Sequence, residues 1–415
     1  MRDKLIDFFS GKSVLILGFG LEGKSTYRIL TELNCAGNIM VADRNPIIED
    51  LDCRVFIGEN YLKNIKNYDI IMKSPGIALL DSLPESEKAK ITSQTDLLLR
   101  FCKSKTVGVT GTKGKSTTAS LIYHILKNCG KKSALTGNIG IPPLDDYELY
   151  DDDTIVVCEL SSHQLEYVKA SPDIAVILNI FPEHLDHYVS FKAYKSAKEN
   201  IFKFQNQDGI VIYDEELVSD SYISIIDKKI PISDVKTKLI GRNNLNNIAV
   251  SLKVSVFLGC FLDEAVKAVE SFVPLKHRLE PIGNINGVEY INDSISTIPQ
   301  AAINALISLP GSDTLIVGGM DRGISYDILI DFLKDGSVLN LIVLPGAGYR
   351  IADEIEAAYT PKFSIYRAQD LENAVRFAKS VTKLRCILSP AAASYDFYKN
   401  FEERGEHFRT LVNSV

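Results

Sequence analysis

The chain has 415 residues, 46% of them hydrophobic and 24% charged, with a formal net charge of −7. That length exceeds what one hydrophobic core usually supports and predicts two to three domains of roughly 100–200 residues. The composition excludes a disordered chain, and the acidic balance argues against broad binding to nucleic acid, so any phosphate binding must be built locally. The seven cysteines are scattered without a CxxC pair. This disfavours a disulfide framework or a zinc site and fits a reducing cytoplasm. The apolar run at 14–17 is too short for a signal peptide or a membrane span.

In chain order, the run 14–17 leads into Gly18, Gly20 and Gly23, a GxGxxG turn before a helix expected to begin near Lys24. The next strand, 39–42, ends at Asp43. This is the dinucleotide fingerprint: glycines admit backbone N–H groups to a diphosphate, and an acid is offered to a ribose. On its own the motif points to NAD. A tight turn without ligand, or a different diphosphate nucleotide, remains open. After the strand 70–72, the turn Lys73-Ser74-Pro75-Gly76-Ile77 falls at the same sheet edge and is placed to close the same pocket.

A second glycine turn follows the strand 106–109: Thr110-Gly111-Thr112-Lys113-Gly114-Lys115-Ser116-Thr117, then a helix to about Asn128 capped by Gly130. The loop amides suit phosphates, Lys115 supplies charge at the β/γ end, and Ser116 or Thr117 offers a hydroxyl to Mg²⁺. The strict GxxxxGK[ST] spacing fails because Val109 stands where the first glycine belongs. ATP is the expected ligand, and a dehydrogenase has no need of Lys115.

The acidic stretch 145–153 reads as a solvated loop. Glu159 ends the strand 155–159, a position suited to a Mg²⁺ ligand opposite a phosphate loop. Asn179, Glu183, His184, Asp186 and His187 follow the strand 174–178. Two histidines and two acids in five residues would suit zinc, but the neighbouring carboxylates and hydroxyls are a magnesium set, and a merely polar loop is a further alternative. The helical stretch 191–204 carries Lys192, Lys195 and Lys198, ordinarily a solvent face, and its chemistry does not choose among them. Strands at 315–317, 341–344 and 386–388 and a helical tail complete an α/β pattern of parallel sheets. The expected blocks are 1–103, 104–273 and 274–415.

With the residues 111–118, Asn138-Ile-Gly140, 159–164, 179–186, 241–247, His277-Arg278, Asn292-Asp293-Ser294 and 388–405, the sequence resembles the Mur ligases across all three blocks. Ser294 and the closing 388–405 stretch resemble the glutamate-adding branch. Folylpolyglutamate synthetase shares the ATP loop, but that likeness leaves the GxGxxG block unexplained.

The resemblance implies a Rossmann-like first domain, a P-loop central domain and a Rossmann-like α/β third domain. It implies an ATP-dependent ligase joining glutamate to UDP-N-acetylmuramoyl-L-alanine through an acyl phosphate, in peptidoglycan precursor synthesis. Such an enzyme is expected to be a monomer in the bacterial cytoplasm, without nucleic acid or membrane insertion. The apparent NAD fingerprint becomes a UDP-sugar pocket of Gly18, Gly20, Leu21, Glu22, Asp43, Arg44, Ser74, Gly76 and Asn138. ATP falls to Gly111, Thr112, Lys113, Gly114, Lys115, Ser116, Thr117, Asn244, Asn247, Arg278 and Asp293.

Two Mg²⁺ ions are implied on Ser116, Glu159, His184 and a carbamylated Lys198, with Lys115 and Arg278 stabilising charge. Glutamate falls to Thr297, Arg322, Ser394 and Phe401. Three positions depart from the family pattern: Arg322 and Ile295 where lysine is common, and Asn243 where histidine is common. The first keeps a carboxylate-binding cation. The other two raise an L-glutamate-adding branch as the alternative to D-glutamate. An NAD-dependent dehydrogenase and a nonenzymatic ATP-gated scaffold are the outlying rivals.

Overall fold

The computed structural model describes residues 1–63, 65–79, 83–184, 187–213, 217–225 and 228–414. Packing divides them into two compact units, 1–236 with 245–272, and 237–244 with 273–415.

The first unit holds two parallel sheets. In the first, β1 (Ser13–Leu17), β2 (Asn38–Asp43), β3 (Arg54–Ile57), β4 (Ile70–Lys73) and β5 (Ile91–Thr92) lie in the order β3-β2-β1-β4-β5. Val14, Leu15, Ile16 and Leu17 are all buried, which is why β1 reads as a continuous apolar run: helices cover both faces of a parallel sheet. The order reverses direction at β1 and β4, so the loops leaving their carboxyl ends diverge and open a crevice.

The second sheet contains β6 (Lys105–Thr110), β7 (Ser133–Gly137), β8 (Ile155–Glu159), β9 (Ile174–Ile177) and β10 (Ile210–Tyr213), ordered β10-β9-β6-β8-β7. The central strand β6 carries the second glycine turn, flanked by the ends of β8 and β9. Its helix, Lys115–Asn128, buries Leu121, Ile122, Ile125 and Leu126, each contributing about 1.5–3 kcal/mol. A short antiparallel hairpin, β11 (Tyr222–Ile225) and β12 (Lys228–Pro231), follows.

In the second unit, β13 (Glu280–Ile285), β14 (Val288–Asn292), β15 (Thr314–Gly319), β16 (Asn340–Gly346), β17 (Ser364–Arg367) and β18 (Arg385–Leu388) form one sheet in the order β13-β14-β18-β15-β16-β17. Only its edge strand β13 runs antiparallel to its neighbour. Among the described residues no helix is long and apolar enough to cross a membrane.

The helix after the first glycine turn differs from expectation. It spans Leu21–Leu33, starting three residues before Lys24, because Gly20 is its extended N-cap. Gly23 therefore lies inside the helix, where a Cβ would sit 2.0 Å from the Gly18 carbonyl oxygen. The third glycine is required by close packing of helix on turn.

Candidate active site

The first glycine turn, the 74–77 turn and the 137–142 loop enclose a cavity of about 740 Å³. Its lining includes Gly18, Gly20, Leu21, Glu22, Asp43, Arg44, Ser74, Gly76 and Asn138, so all nine residues expected at a UDP-sugar site face one space. Ser74 Oγ donates to the Gly18 carbonyl at 2.9 Å and ties the two turns together.

Asp43 lines the cavity and also braces the turn beside it. Its Oδ2 accepts the Phe19 N–H at 2.6 Å and its Oδ1 the Asn45 N–H at 2.7 Å. The carboxylate holds the glycine turn in shape. Glu22 presents an unusual feature: Oε1 accepts the Gln164 amide at 2.9 Å, whereas Oε2 is buried without a hydrogen-bond partner. Burial pushes this carboxyl up to about 7, against the opposing pull of Gln164 and Lys73. Lys73, almost wholly buried, reaches Glu166 at 3.3 Å and the Pro75 carbonyl at 3.3 Å, bracing the 74–77 turn from beneath.

The second turn is held from the neighbouring strand. Asn179, just past β9, accepts the Lys113 N–H on Oδ1 at 2.8 Å and donates from Nδ2 to the Lys113 carbonyl at 3.1 Å. Its own carbonyl accepts the Thr112 N–H at 2.7 Å. Thr112 Oγ1 pairs with the Phe181 backbone and the Tyr194 hydroxyl. Gly114, at φ +87°, lies so close to Asn247 that a Cβ would be 2.5 Å from Oδ1. Lys115 heads its helix with Nζ on the carbonyls of Gly111 and Thr112, at 3.0 and 3.1 Å. Ser116 and Thr117 are buried in the first helical turn, and Lys113 pairs with Glu183 at 2.6 Å.

Lys198 is 1% exposed and donates to the Gly111 carbonyl at 2.8 Å. Burial first, then the nearby Lys115, push its ammonium down to about 6. On the helix Phe191–Lys203, Tyr194, Ala197, Lys198 and Ile201 form the buried face, while Lys192 and Lys195 are exposed. Three lysines spaced three apart rotate progressively around a helix, and the last turns inward.

Glu159 ends β8 beside the loop, 1% exposed. Oε1 accepts Asn138 Nδ2 at 2.9 Å, and Oε2 is buried without a hydrogen-bond partner. A buried carboxylate oxygen at the end of the strand paired with the one that leads into the phosphate loop is a hard oxygen donor of the kind that fits magnesium. His184 has φ +57°, a left-handed conformation that is strained for histidine. Its ring lies 4.9 Å from that of His163, which is 4.3 Å from His187. Burial and these neighbours push His163 down to about 3. The three rings stack edge to face, and among the described residues no group of three or more His, Cys, Asp or Glu is placed to hold a metal ion. Asp186 lies outside the described residues.

The second unit contains Asn244, Arg278, Asp293, Thr297, Arg322, Ser394 and Phe401. Asn244 Nδ2 donates to the Ile240 carbonyl at 2.7 Å. Asp293 is buried, accepting Ser389 Oγ at 2.8 Å, Ser296 Oγ, and the Leu279 N–H at 3.1 Å, and its burial pushes the carboxyl up to about 6. Those bonds draw the turn that bears Arg278 onto the end of β14. Arg322 donates to the Thr297 carbonyl at 2.9 Å, which brings two of the expected glutamate residues together. Ser394 is buried against a separate cavity of about 50 Å³, and the Phe401 carbonyl accepts Ser294 Oγ at 2.8 Å. Arg404 is 1% exposed and spends its donors on Ser294 and the Ala392 and Ala393 carbonyls, so that buried cation ties the 388–405 stretch to Ser294.

Residues 109–231 match the Mur ligase middle domain. Along its whole length the chain is 31% identical to the UDP-N-acetylmuramoylalanine--D-glutamate ligase of Acetivibrio thermocellus, covering 100% of both. It is also 31% identical to the ligase of the same name from Clostridium botulinum strain Hall, covering 99% of both. The chain belongs to the Mur ligase family. Solved Mur ligases share its fold: MurF of Thermotoga maritima, in complex with ADP, has a TM-score of 0.59 at 19% identity, covering 98% of this chain and 96% of that one. MurC of Thermotoga maritima gives 0.57 at 16% identity, covering 96% and 98%.

Within this Mur ligase, several residues at the site were not assigned from sequence. Asn179 was visible only as part of a motif, since its role depends on β9 lying beside β6. Gln164 and Lys73 carried one signal, a polar or charged side chain directly after a buried strand or inside a short capped helix. Lys198, expected from the resemblance, also carries a signal of its own, lying four residues after Tyr194 and three before Ile201 on the apolar face.

Proposed function

We propose that this protein is an ATP-dependent ligase that joins D-glutamate to the alanine carboxylate of UDP-N-acetylmuramoyl-L-alanine, releasing ADP and phosphate, in peptidoglycan precursor synthesis in the bacterial cytoplasm. The observation that carries it is the hydrogen bond from Asn138 to Glu159: Asn138 lines the 740 Å³ cavity, and Glu159 borders the phosphate loop. That bond joins the lining of the cavity to the strand end beside the phosphate loop, as transfer from ATP to a UDP-sugar substrate requires. The cavity's size suits a nucleotide-sized ligand, ordinary pockets spanning roughly 300–1,000 Å³. The full-length relatives, named for D-glutamate, favour that enantiomer over L-glutamate.

In this reading 1–103 is the UDP-sugar domain, 104–273 the ATP domain and 274–415 the glutamate domain, in a monomer. Gly18, Gly20, Leu21, Glu22, Asp43, Arg44, Ser74 and Gly76 shape the nucleotide pocket, and Asn138 meets the muramoyl end. The amides of Gly111, Thr112, Lys113 and Gly114 cradle the ATP phosphates at a helix N-terminus. Lys115 exchanges its loop carbonyls for the β- and γ-phosphates, with Thr117, Asn244, Asn247, Arg278 and Asp293 on the rest of the nucleotide.

Ser116, Glu159, His184 and carbamylated Lys198 would hold two Mg²⁺ ions, which when bound neutralise charge during phosphoryl transfer. The neutral Lys198 amine favoured by its burial is the form that captures carbon dioxide. The alanine carboxylate takes the γ-phosphoryl group to give an acyl phosphate and ADP. The glutamate amine, placed by Thr297, Arg322, Ser394 and Phe401, attacks the acyl carbon; the C–O bond to phosphate breaks and the amine loses a proton. Lys115 and Arg278 stabilise the crowded anions without covalent participation.

The test is phosphate release from purified protein with Mg²⁺, in which UDP-N-acetylmuramoyl-L-alanine, ATP and D-glutamate are each omitted in turn. Release is expected only with all three, together with a product one glutamyl unit heavier. Release with L-glutamate alone, or with neither enantiomer, would overturn the assignment.

A further inference from the structure

We propose that Arg350 is a positioning residue of the glutamate site, fixing the segment that presents Arg322 to an α-amino dicarboxylate. The inference rests on the reading of Arg322 as a carboxylate-binding residue. Residues 321–326, between β15 and the helix Asp327–Lys334, are neither helix nor strand. Ordering such a segment costs about 1–2 kcal/mol per residue in backbone entropy, so an exposed arginine near its middle is accurately placed only if something else holds it.

Arg350, from the helix Ala347–Ala358, grips the segment on both sides of Arg322. Its Nε and Nη2 fork the Asp321 carboxylate at 2.7 and 2.9 Å, and Nη2 also donates to the Ile324 carbonyl at 2.7 Å. Nη1 is anchored to Glu354 at 2.8 Å, on its own helix. The guanidinium lies 4.7 Å from the centroid of the Tyr326 ring, and Tyr326 is itself buried. Asp321 completes the turn by accepting the Gly323 N–H at 2.9 Å, with Gly323 at φ +68°.

Two glycines bring the helix within reach. A Cβ on Gly346 would lie 2.4 Å from the Gly319 carbonyl oxygen, and one on Gly348 would lie 2.8 Å from that of Val317. A lysine at 350 would supply one point charge where the segment needs a planar fork. Held in this way, Arg322 reaches the Thr297 carbonyl and keeps its exposed guanidinium at a fixed place beside Thr297. Arg350 acts through Arg322 alone.

The experiment is steady-state kinetics of the full chain with glutamate varied and the other substrates saturating, for Arg350→Met, Arg350→Lys, Asp321→Asn, Arg322→Met and the Arg322→Met/Arg350→Met double variant. Arg350→Met and Asp321→Asn are expected to raise the glutamate KM about tenfold through misplacement of Arg322, with the KM for ATP and for the UDP-sugar unchanged. Arg350→Lys recovers little, and the double variant is no worse than Arg322→Met, because nothing remains to position. The inference is overturned if Arg322→Met raises the glutamate KM while Arg350→Met and Asp321→Asn do not, or if the double variant's losses multiply. An unchanged glutamate KM in Arg322→Met would instead remove the carboxylate role of Arg322, and the positioning role with it.

Discussion

The two glycine turns of the first unit share one local design, a buried parallel strand, a glycine loop and a helix, yet they are equipped by their neighbours for different ligands. At the first, an acid, Asp43, holds the Phe19 amide of the loop, a second acid, Glu22, sits in the first helical turn, and the loop faces a wide cavity. At the second, a neutral amide, Asn179, holds the loop, and Lys113, Lys115 and Lys198 crowd around it. Glycine spacing makes a backbone cradle. In the proposed assignment, the charges carried in from adjacent strands and helices suit the first cradle to a diphosphate with sugars and the second to the phosphates of ATP.

Lys198→Met gives the sharpest test of the second turn's charge. Turnover is expected to fall about a thousandfold, ~4 kcal/mol of barrier, with ATP affinity largely kept. Near-normal turnover would show that the buried lysine only packs. Asp43→Asn acts on the first turn through the Phe19 and Asn45 N–H groups. Losing one charged acceptor should cost about 1 kcal/mol in urea denaturation and weaken UDP-sugar binding without touching ATP.

Glu22→Gln tests charge through pH. The folded carboxyl is raised from its ordinary 4.5 to about 7, so the folded state holds the proton more tightly across that window. Its destabilising contribution is absent below about pH 4.5 and fully present above pH 7. The Glu22→Gln variant should gain stability over wild type as pH rises through this window. A gap independent of pH would mean that the carboxyl ionises normally.

Much of this contrast was legible in the chain. Gly111, Gly114, Lys115 and Ser116 combine glycine, lysine and hydroxyl between a strand and a helix as a phosphate loop does, though not at the strict spacing, and the short runs of buried β-branched residues marked the parallel sheets. The bonds that hold Asp43 and Lys198 in place were not legible from the residues alone, for physical reasons. Nothing local to Asp43 announces the 2.6 Å bond that its carboxylate accepts from the Phe19 N–H, 24 residues back. Lys198 belongs to a row of lysines whose other members face solvent, and its partner, Gly111, lies 87 residues away. The grip of Arg350 on Asp321 likewise depends on the ends of β15 and β16 meeting at glycines, which no local pattern records.

Calorimetric titration of two variants with two ligands tests the division of labour most directly. Gly23→Ala forces a Cβ toward the Gly18 carbonyl and should abolish binding of UDP-N-acetylmuramoyl-L-alanine while leaving ADP–Mg²⁺ binding intact, and Lys115→Ala should do the reverse. Loss of ADP binding in Gly23→Ala with the UDP-sugar retained, or no separation between the ligands in either variant, would contradict the assignment of the two turns.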